Sequence, residues 1–443
     1  MNKLFGTDGI RGIYPDYLDR DLAYKVGKAV ASIIEDDKVV ILGRDTRKSG
    51  EILSRSLEKG LRSGGVKVRD LGIVPTPLIG YYSYKEKKMG VMITAAHNPR
   101  NYNGIKIFDK GFKIEREVED KIESFVSKIS NDDREEISKD QVEDRERERK
   151  ILEYIDHLVE GVREDFSSLN IAIDCANGGV SSTIKLLKDR LGLGKKTVII
   201  NDHMDRDDIN VNCGSMHIEE LQELVVARGY DGGFAFDGDG DRCVIVDDKG
   251  NYIDGDCILA MLANYYLDNN LFKKKKMIIG TEMSNLGLEE YCLRNNIKFK
   301  RAEVGDKNVI KEMIKNDCEL GGEPVGHITF LNKEKSSDGE LTMIEVLVMM
   351  VKTKKKLSEL RKIMKKYSQV TRDIQITDRE KNLFRENKEI KEYIANLNRE
   401  LEGNKRIVVR VSGTEPYIRV MVEGEEGDRY LEEVCREIEK IRE

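Results

Sequence analysis

The sequence predicts an α/β protein: three doubly wound α/β domains and a C-terminal α+β domain around a central cleft. Its 443 residues suffice for three or four domains of roughly 100–150 residues each. Short apolar runs alternate with stretches of helical period along most of the chain, as in doubly wound sheets. The last segment instead places two strand-like runs side by side before a terminal helix. Ligands of doubly wound sheets bind beyond the carboxyl ends of strands, so the loops there are the candidate functional segments.

The domain divisions follow from where this rhythm stops and restarts. The charged stretch 130–150 lacks apolar periodicity and is either a solvated linker or the exposed start of a long helix. Strand-like runs restart at 169–174 and at 277–281. We therefore predict four domains. An α/β domain covers residues 1–150, and an α/β domain with an acidic loop covers 151–252. An α/β domain with a glycine-flanked loop covers 253–367, and an α+β domain covers 368–443.

Composition and charge exclude several classes of protein. The net charge is −6, which disfavours nucleic-acid binding because that function needs a basic face. The N-terminus lacks a signal-peptide core, and the longest apolar runs, such as 343–351, are too short to span a bilayer. The seven cysteines are scattered without a CxxC pair, so neither a disulfide framework nor a zinc cluster is indicated. We expect a cytoplasmic protein with buried free thiols and no membrane or nucleic-acid partner.

The strongest local signal is the acidic segment FDGDGDRC at 236–243. It follows a predicted strand and presents Asp237, Asp239 and Asp241 at alternate positions. Carboxylates this close repel each other unless a cation lies between them, and oxygen ligands favour a hard ion such as Mg²⁺. An EF-hand is excluded because its sixth loop position would be Arg242 rather than glycine. A solvated acidic turn is the alternative to a magnesium site.

Three loops of the first domain also carry polar groups. In TAAHNPRNYNGIKIF, His97 lies in a turn after a strand, and Lys106 lies on the next extended run. In GRDTRKSGE, Arg44 and Arg47 lie near a helix start and could hold an anion, although a surface pair explains them equally well. Arg11 lies among the glycines of FGTDGIRG, a loop that could approach a ligand or simply be a tight turn.

Two further loops lie in the third and fourth domains. GGEPVGHITF places Glu323 and His327 on a glycine-flanked turn, where they could hydrogen-bond a polar ligand or only each other. RVSGTEPYIR lies between two strands and offers arginine, hydroxyl and backbone N–H groups that suit a phosphate. The groups concerned are Arg410, Ser412, Gly413 and Thr414.

Taken in order, these loops resemble the α-D-phosphohexomutase family over nearly the whole chain. The matching motifs are GTDGIRG, GRDTR, HNP, DGDGDR, GGE..GH and SGTEP. The resemblance implies an isomerase that transfers a phosphoryl group between a serine and a hexose or hexosamine phosphate with Mg²⁺. Segments 209–217, 281–289 and 302–309 resemble the branch that interconverts glucosamine 6-phosphate and glucosamine 1-phosphate for UDP-N-acetylglucosamine synthesis. Mannose and glucose phosphates remain alternative substrates. The resemblance also implies a hexosamine 1,6-bisphosphate as primer or intermediate, and a homodimer as the assembly.

The resemblance also implies roles for individual residues. Asp237, Asp239 and Asp241 correspond to the magnesium ligands, and position 96 corresponds to the phosphoserine. His97, Lys106 and Arg11 resemble the groups that transfer protons and contact the phosphoryl group. By the same resemblance, the remaining residues contact the substrate. Arg242 corresponds to a residue beside the metal, and Glu323 and His327 correspond to contacts with sugar hydroxyls. A distal phosphate grip corresponds to Arg410, Ser412, Gly413, Thr414 and Arg419.

The sequence departs from the family pattern at the position that matters most. Ala96 stands where the family has serine, and a methyl group cannot be phosphorylated. Thr94 lies two residues earlier, about 6–7 Å away along a strand, too far to replace it. Pro324 and Val325 also replace an amide residue and a serine of the family pattern in GGEPVGHITF, the segment we call the sugar loop. We expect impaired turnover, whether the chain is an engineered variant, a designed sequence or a non-catalytic paralogue that binds sugar phosphate or protein.

Overall fold

The computed structural model describes residues 3–34, 38–129, 144–401, 405–411 and 417–442. Their strands form four separate sheets in chain order. The predicted architecture, three α/β units followed by a smaller α+β unit, is confirmed. The exact domain boundaries stay predictions, and the one at residue 150 falls inside a helix, Asp144–Leu158. Residues 144–150 of the charged stretch thus form the start of that helix, and residues 130–143 lie outside the described residues.

The first unit carries the largest sheet. Its elements are β1 (Phe5–Gly6), β2 (Gly9–Ile13), α1 (Arg20–Ile33), β3 (Val39–Arg44), α2 (Lys48–Ser63), β4 (Lys67–Ile73), α3 (Thr76–Glu86), β5 (Met89–Ile93), β6 (Tyr102–Asp109), β7 (Phe112–Lys113), α4 (Arg116–Val126) and α5 (Asp144–Leu158). The strand order is β1-β2-β6-β5-β3-β4, with β7 paired to β6. Strand β3 is parallel to both β4 and β5, and its apolar run is buried as expected for a central strand.

The second unit is a five-stranded sheet in which the acidic loop joins β10 to β11. Its elements are β8 (Ile171–Asp174), α6 (Ile184–Leu191), β9 (Val198–Ile200), α7 (Glu219–Arg228), β10 (Gly232–Phe236), β11 (Cys243–Asp247) and β12 (Tyr252–Ile253). The order β12-β11-β10-β8-β9 puts β10 at the centre. Strand β10 is fully buried, so it holds the start of the acidic loop rigidly.

The third unit has a four-stranded sheet in the order β14-β13-β15-β16. Its elements are α8 (Gly255–Asp268), β13 (Met277–Thr281), α9 (Leu286–Arg294), β14 (Lys298–Ala302), α10 (Asp306–Asn316), β15 (Leu320–Gly322), β16 (Ile328–Phe330), α11 (Gly339–Thr353) and α12 (Leu357–Leu360). Strands β15 and β16 are an antiparallel hairpin, and the sugar loop is its turn.

The fourth unit is a three-stranded antiparallel sheet in the order β17-β19-β18. Its elements are β17 (Gln369–Gln375), α13 (Asp378–Glu386), α14 (Lys388–Glu400), β18 (Arg406–Val411), β19 (Tyr417–Glu423) and α15 (Gly427–Glu439). Short 3₁₀ helices complete the chain at Gly179–Ser182, Gly214–Met216, Arg361–Ile363 and Lys440–Arg442.

The apolar core reveals how the units are joined. One large cluster of buried side chains draws on the first, second and third units, whereas the fourth unit has a cluster of its own. Polar contacts connect the fourth unit to the third: Glu423 Oε1 accepts the backbone N–H of Leu286 at 2.8 Å, and Arg406 donates to the carbonyl of Ser284 at 2.9 Å. The first three units therefore share a framework, onto which the fourth docks.

The expectations about cysteines and membranes can be compared with this structure. The cysteines are buried and carry free thiols, as predicted. Across the residues that the structure describes, the longest apolar helices fall short of what a bilayer crossing requires.

Candidate active site

The acidic loop after β10 gathers the three predicted aspartates at one point. Ligand oxygens of Asp237, Asp239 and Asp241 lie within 4.8 Å of one another, and all three side chains are buried. Thr76 fixes the middle aspartate, because its hydroxyl donates to Asp239 Oδ2 at 2.6 Å. The predicted convergence of carboxylates is therefore present in the fold.

Lys106 comes to the same point from the first unit. It is 1% exposed, and its Nζ donates to Asp239 Oδ2 at 2.8 Å and to Asp241 Oδ2 at 2.7 Å. Burial lowers the pKa of Lys106, but the facing carboxylates Asp239 and Asp241 outweigh burial and raise it. The side chain is therefore charged and neutralises part of the acidic cluster.

The remaining oxygens fit a magnesium ion. Asp237 Oδ2 and Asp239 Oδ1 are buried and lack a hydrogen-bond partner among the described residues, which is costly for carboxylates. Burial and the neighbouring carboxylates raise the pKa of Asp237 to about 8. A hard cation bound to oxygens would remove both penalties, so the donor set suits Mg²⁺. The three aspartates are the residues that would hold it.

The sugar-loop residues lie against the same aspartates. His327 bonds Glu323 Oε2 through Nδ1 at 2.8 Å and Asp241 Oδ1 through Nε2 at 3.0 Å. Burial opposes a charge on His327, whereas the neighbouring carboxylates Asp241 and Glu323 raise its pKa to about 10. Arg242 packs beside it, with Nε 3.0 Å from His327 Nε2. These three residues connect the acidic loop to the hairpin of the third unit.

Position 96 faces the acidic loop at very short range. A Cβ placed on Gly238 would lie 2.6 Å from the carbonyl oxygen of Ala96, so only glycine allows this approach. Ala96 itself has φ of 47°, a left-handed conformation that costs roughly 1–2 kcal/mol for a residue with a Cβ. Backbone strain of this kind is typical of functional turns. The turn thus keeps a strained shape although the residue has no nucleophile.

A buried arginine maintains that turn. Arg47 is 0% exposed; its Nε donates to Asp45 Oδ2 at 3.0 Å and its other nitrogens donate to the carbonyls of Ala96, Asn98 and Pro99, each at 2.8 Å. Both predictions for Arg47, an anion site or a surface pair, are wrong. Four hydrogen bonds within the protein engage this buried guanidinium, so it supports the loop from behind.

Thr94 also belongs to this support. It is fully buried, its hydroxyl donates to Asp45 Oδ2 at 2.7 Å and accepts the N–H of Ala96 at 2.9 Å. Strand β5 ends at Ile93, so Thr94 lies in the turn. Its hydroxyl is committed to two bonds, which agrees with the expectation that it does not carry a phosphoryl group.

Arg11 and His97 lie beside this cluster. Arg11 donates to Asn98 Oδ1 at 3.0 Å and pairs with Asp8, which Lys113 also contacts. Burial and the cations Arg242 and Arg11 lower the pKa of His97 to about 2, so its imidazole is neutral. His97 Nδ1 is buried and has no partner within the described residues, which leaves a polar atom for a ligand. His97 is thus a neutral imidazole next to the cationic side chains of Arg11 and Arg242.

The predicted distal phosphate grip lies partly outside the residues that the structure describes. Arg410 in β18 lies opposite Arg419 in β19, and Arg419 donates twice to Asp373, at 2.8 Å each. Ser412, Gly413 and Thr414 lie outside the described residues. The contacts reported above join residues of the first three units, so the structure does not bring Arg410 and Arg419 into them.

Several residues of the site were missed by sequence reasoning. Asp8 binds Arg11 and Lys113, and Asn210 donates to the carbonyls of Ala96 and Asn98 at 2.8 and 3.1 Å. Thr76 binds Asp239 from the start of α3. Asp8 lies inside the motif that contains Arg11, and Asn210 lies inside the family-like segment 209–217, so both segments were usable signals. Thr76 acts across units and had no such signal.

Comparison with known proteins now identifies the class. Sequence profiles of phosphoglucomutase/phosphomannomutase match in order: α/β/α domain I at residues 2–133, α/β/α domain II at 152–250, α/β/α domain III at 254–367 and the C-terminal domain at 349–441. The chain belongs to this phosphohexomutase family of isomerases, whose triple-aspartate magnesium site it retains. The resemblance and the fold that it implied are confirmed.

Its relatives point to one branch of that family. The chain is 40% identical to the phosphoglucosamine mutase of Clostridium acetobutylicum, with 97% of this chain and 96% of that protein covered. It is 39% identical to the phosphoglucosamine mutase of Clostridium tetani, with 99% of each covered. Among solved structures, a phosphoglucomutase/phosphomannomutase family protein from Burkholderia thailandensis has the same fold, with a TM-score of 0.78, 22% identity and coverage of 99% and 96%.

Proposed function

We propose that this chain is built for the interconversion of glucosamine 6-phosphate and glucosamine 1-phosphate, and that Ala96 impairs its turnover. The observation that carries the first part is the full-length similarity to phosphoglucosamine mutases. The second part rests on the methyl side chain of Ala96, which cannot carry a phosphoryl group, in a turn whose carbonyl oxygen faces Gly238 of the acidic loop. Mannose and glucose phosphates are the alternative substrates because they differ from glucosamine phosphates by a single substituent.

The geometry suits phosphoryl transfer, which depends on positioning and on neutralising charge. Mg²⁺ held by the three aspartates would supply positive charge beside the transferring phosphoryl group. Arg11 and Arg242 add cationic hydrogen-bond donors from two other directions. We assign His97, whose imidazole is neutral, and Lys106 to phosphoryl contact and proton transfer.

Substrate contacts follow from the same arrangement. Glu323 and His327 lie on the hairpin turn next to the acidic loop, and we assign them to the hydroxyls of the sugar. Arg410 and Arg419, with Ser412, Gly413 and Thr414, are assigned to the phosphate at the other end. A grip at one end allows either end of a bisphosphate to face position 96.

Serine replacement tests this proposal. Ala96→Ser should raise formation of glucosamine 1-phosphate from glucosamine 6-phosphate, with Mg²⁺ and a bisphosphate primer, by at least about a hundredfold, because it restores a nucleophile. Ala96→Gly is the matched control, since it relieves the positive φ without adding a hydroxyl. Wild-type turnover equal to that of Ala96→Ser would defeat the claim that Ala96 is disabling.

One observation favours a second candidate, a non-catalytic binder of sugar phosphates. Val325, whose side chain is 42% exposed on the sugar loop, stands where the family pattern has serine. Ala96 and Val325 replace family serines in two separate loops, and the loss of both favours a protein that no longer catalyses the reaction. If Ala96→Ser gains no activity, adding Val325→Ser tests whether the sugar loop is responsible. Calorimetry with hexose phosphates, with and without Mg²⁺, separates a binder from a chain that has lost its ligand.

We also propose that the protein works in the cytoplasm, as a homodimer that binds no nucleic acid. The acidic net charge of −6 supports the last point. Sedimentation equilibrium tests the dimer, and a mass equal to one chain at all concentrations would refute it.

A further inference from the structure

A cavity of about 450 Å³ lies between the first and third units, outside the candidate active site. The hairpin β6–β7 and helix α4 form one wall, and helix α10 forms the other. Apolar side chains cover much of its inside: Phe112, Ile114, Val118, Ile310 and Ile314. Its volume is within the range of pockets that hold small organic ligands, roughly 300–1,000 Å³.

The charged lining of this cavity is mainly basic. Five lysines and three carboxylates line it, an excess of two positive charges; the lysines are Lys110, Lys113, Lys307, Lys311 and Lys335. Lys311 is 67% exposed and lies 3.7 Å from Glu115, so its ion pair is weak and its charge is accessible. An apolar interior with a cationic rim is complementary to an amphipathic anion.

The walls of the cavity continue into the candidate active site. Lys113 lies 2.7 Å from Asp306 and also contacts Asp8, the partner of Arg11. Helix α10 begins at Asp306, and the N–H of the preceding residue, Gly305, donates to Glu323 Oε1 at 2.9 Å. Two short chains of polar contacts thus connect the cavity with Arg11 and with the sugar loop.

We propose that this cavity binds a small amphipathic anion, a carboxylate or phosphate ester on an apolar body, and that its occupancy changes sugar-phosphate affinity at the candidate active site. The apolar walls take the body, while the rim lysines take the head group. The ligand contacts both units, so it favours one relative arrangement of Lys113 and α10. Such coupling is reciprocal between the two sites. The second part of the proposal rests on the proposed function, and the first does not.

Calorimetry on the unmodified protein tests the first part. Decanoate and decyl phosphate should bind with one site per chain, and decanol, which has the same body and no charge, should bind at least about tenfold more weakly. Equal binding of decanol, or no binding of either anion, would overturn the proposal. A difference between decanoate and decyl phosphate identifies the preferred head group.

A charge-reversal variant locates the site. The double variant Lys110→Glu/Lys311→Glu should weaken decanoate binding at least about tenfold. Lys315→Glu is the matched control, because Lys315 lies on the same helix with 71% of its side chain exposed and does not line the cavity. Equal affinities of the double variant and the control would place binding elsewhere and refute the assignment.

The coupling is measured with glucosamine 6-phosphate. Saturating decanoate should change its dissociation constant at least about threefold, and the sugar phosphate should change decanoate affinity by the same factor. An unchanged constant overturns the coupling. If glucosamine 6-phosphate does not bind at all, the proposed function fails, whereas the cavity assignment fails only in the decanoate titrations.

Discussion

Replacement of Arg47 by methionine tests whether this buried side chain maintains the turn at position 96. Arg47→Met keeps a long side chain and removes the positive charge with all its donors. Asp45 would then be a fully buried carboxylate without its cation. Burial already raises the pKa of Asp45, while Arg47 and the Thr94 hydroxyl lower it, so loss of Arg47 leaves burial less opposed.

The structure limits the size of the effect. The three carbonyls that lose Arg47 keep a second donor: Asn210 Nδ2 bonds those of Ala96 and Asn98, and the Tyr102 N–H bonds that of Pro99 at 3.0 Å. The main loss is therefore the buried ion pair. Removal of one partner of such a pair typically costs about 3–5 kcal/mol. We expect Arg47→Met to lower the free energy of unfolding by that amount.

Urea unfolding of matched variants measures this. Arg44→Met is the control, because Arg44 is only half-buried and makes one bond, to the Asp45 carbonyl at 3.2 Å; it should cost about 1 kcal/mol or less. Asp45→Asn/Arg47→Met should be at least about 1 kcal/mol more stable than Arg47→Met, because no unpaired charge remains. A loss below about 1 kcal/mol in Arg47→Met, or a double variant less stable than the single, would refute the reasoning.

Two further predictions concern charge. Lys106→Met should lower stability without metal and enlarge the stabilisation by Mg²⁺, because Asp239 and Asp241 lose the ammonium group that bonds both of them. A tenfold gain in Mg²⁺ affinity adds about 1.4 kcal/mol of stability at high Mg²⁺ concentration. Equal thermal shifts on addition of Mg²⁺ to Lys106→Met and to the wild type would contradict this prediction. Burial and Glu334 raise the pKa of Asp338 to about 7, so the folded state keeps a proton that the unfolded chain loses near pH 4. The wild type should therefore lose about 2–3 kcal/mol of stability, relative to Asp338→Asn, from pH 5 to pH 8. Urea unfolding of both proteins at both pH values measures this change. A stability difference that is the same at pH 5 and pH 8 would show that Asp338 does not titrate in this range.

The sequence by itself determined which chemistry is available. Alternating carboxylates spaced by glycines predicted the magnesium ligands Asp237, Asp239 and Asp241, because close carboxylates need a cation in any fold. Motif order predicted the family and the four units, because the motifs occur in the family's order along nearly the whole chain. The absence of a nucleophile at Ala96 was also visible, since it depends on residue type alone.

Only the tertiary structure decided which groups act on one another across units. Arg47 could be an anion site on local sequence, but it is buried behind the turn, where its guanidinium makes four hydrogen bonds within the protein. Lys106 lies 133 positions from Asp239 in the chain, and Asn210 lies 114 from Ala96, yet both pairs are bonded. Contacts over such separations arise from how the sheets pack, and local sequence patterns do not encode them. The cavity between α4 and α10 exists for the same reason, because its walls come from units that meet only in the folded protein.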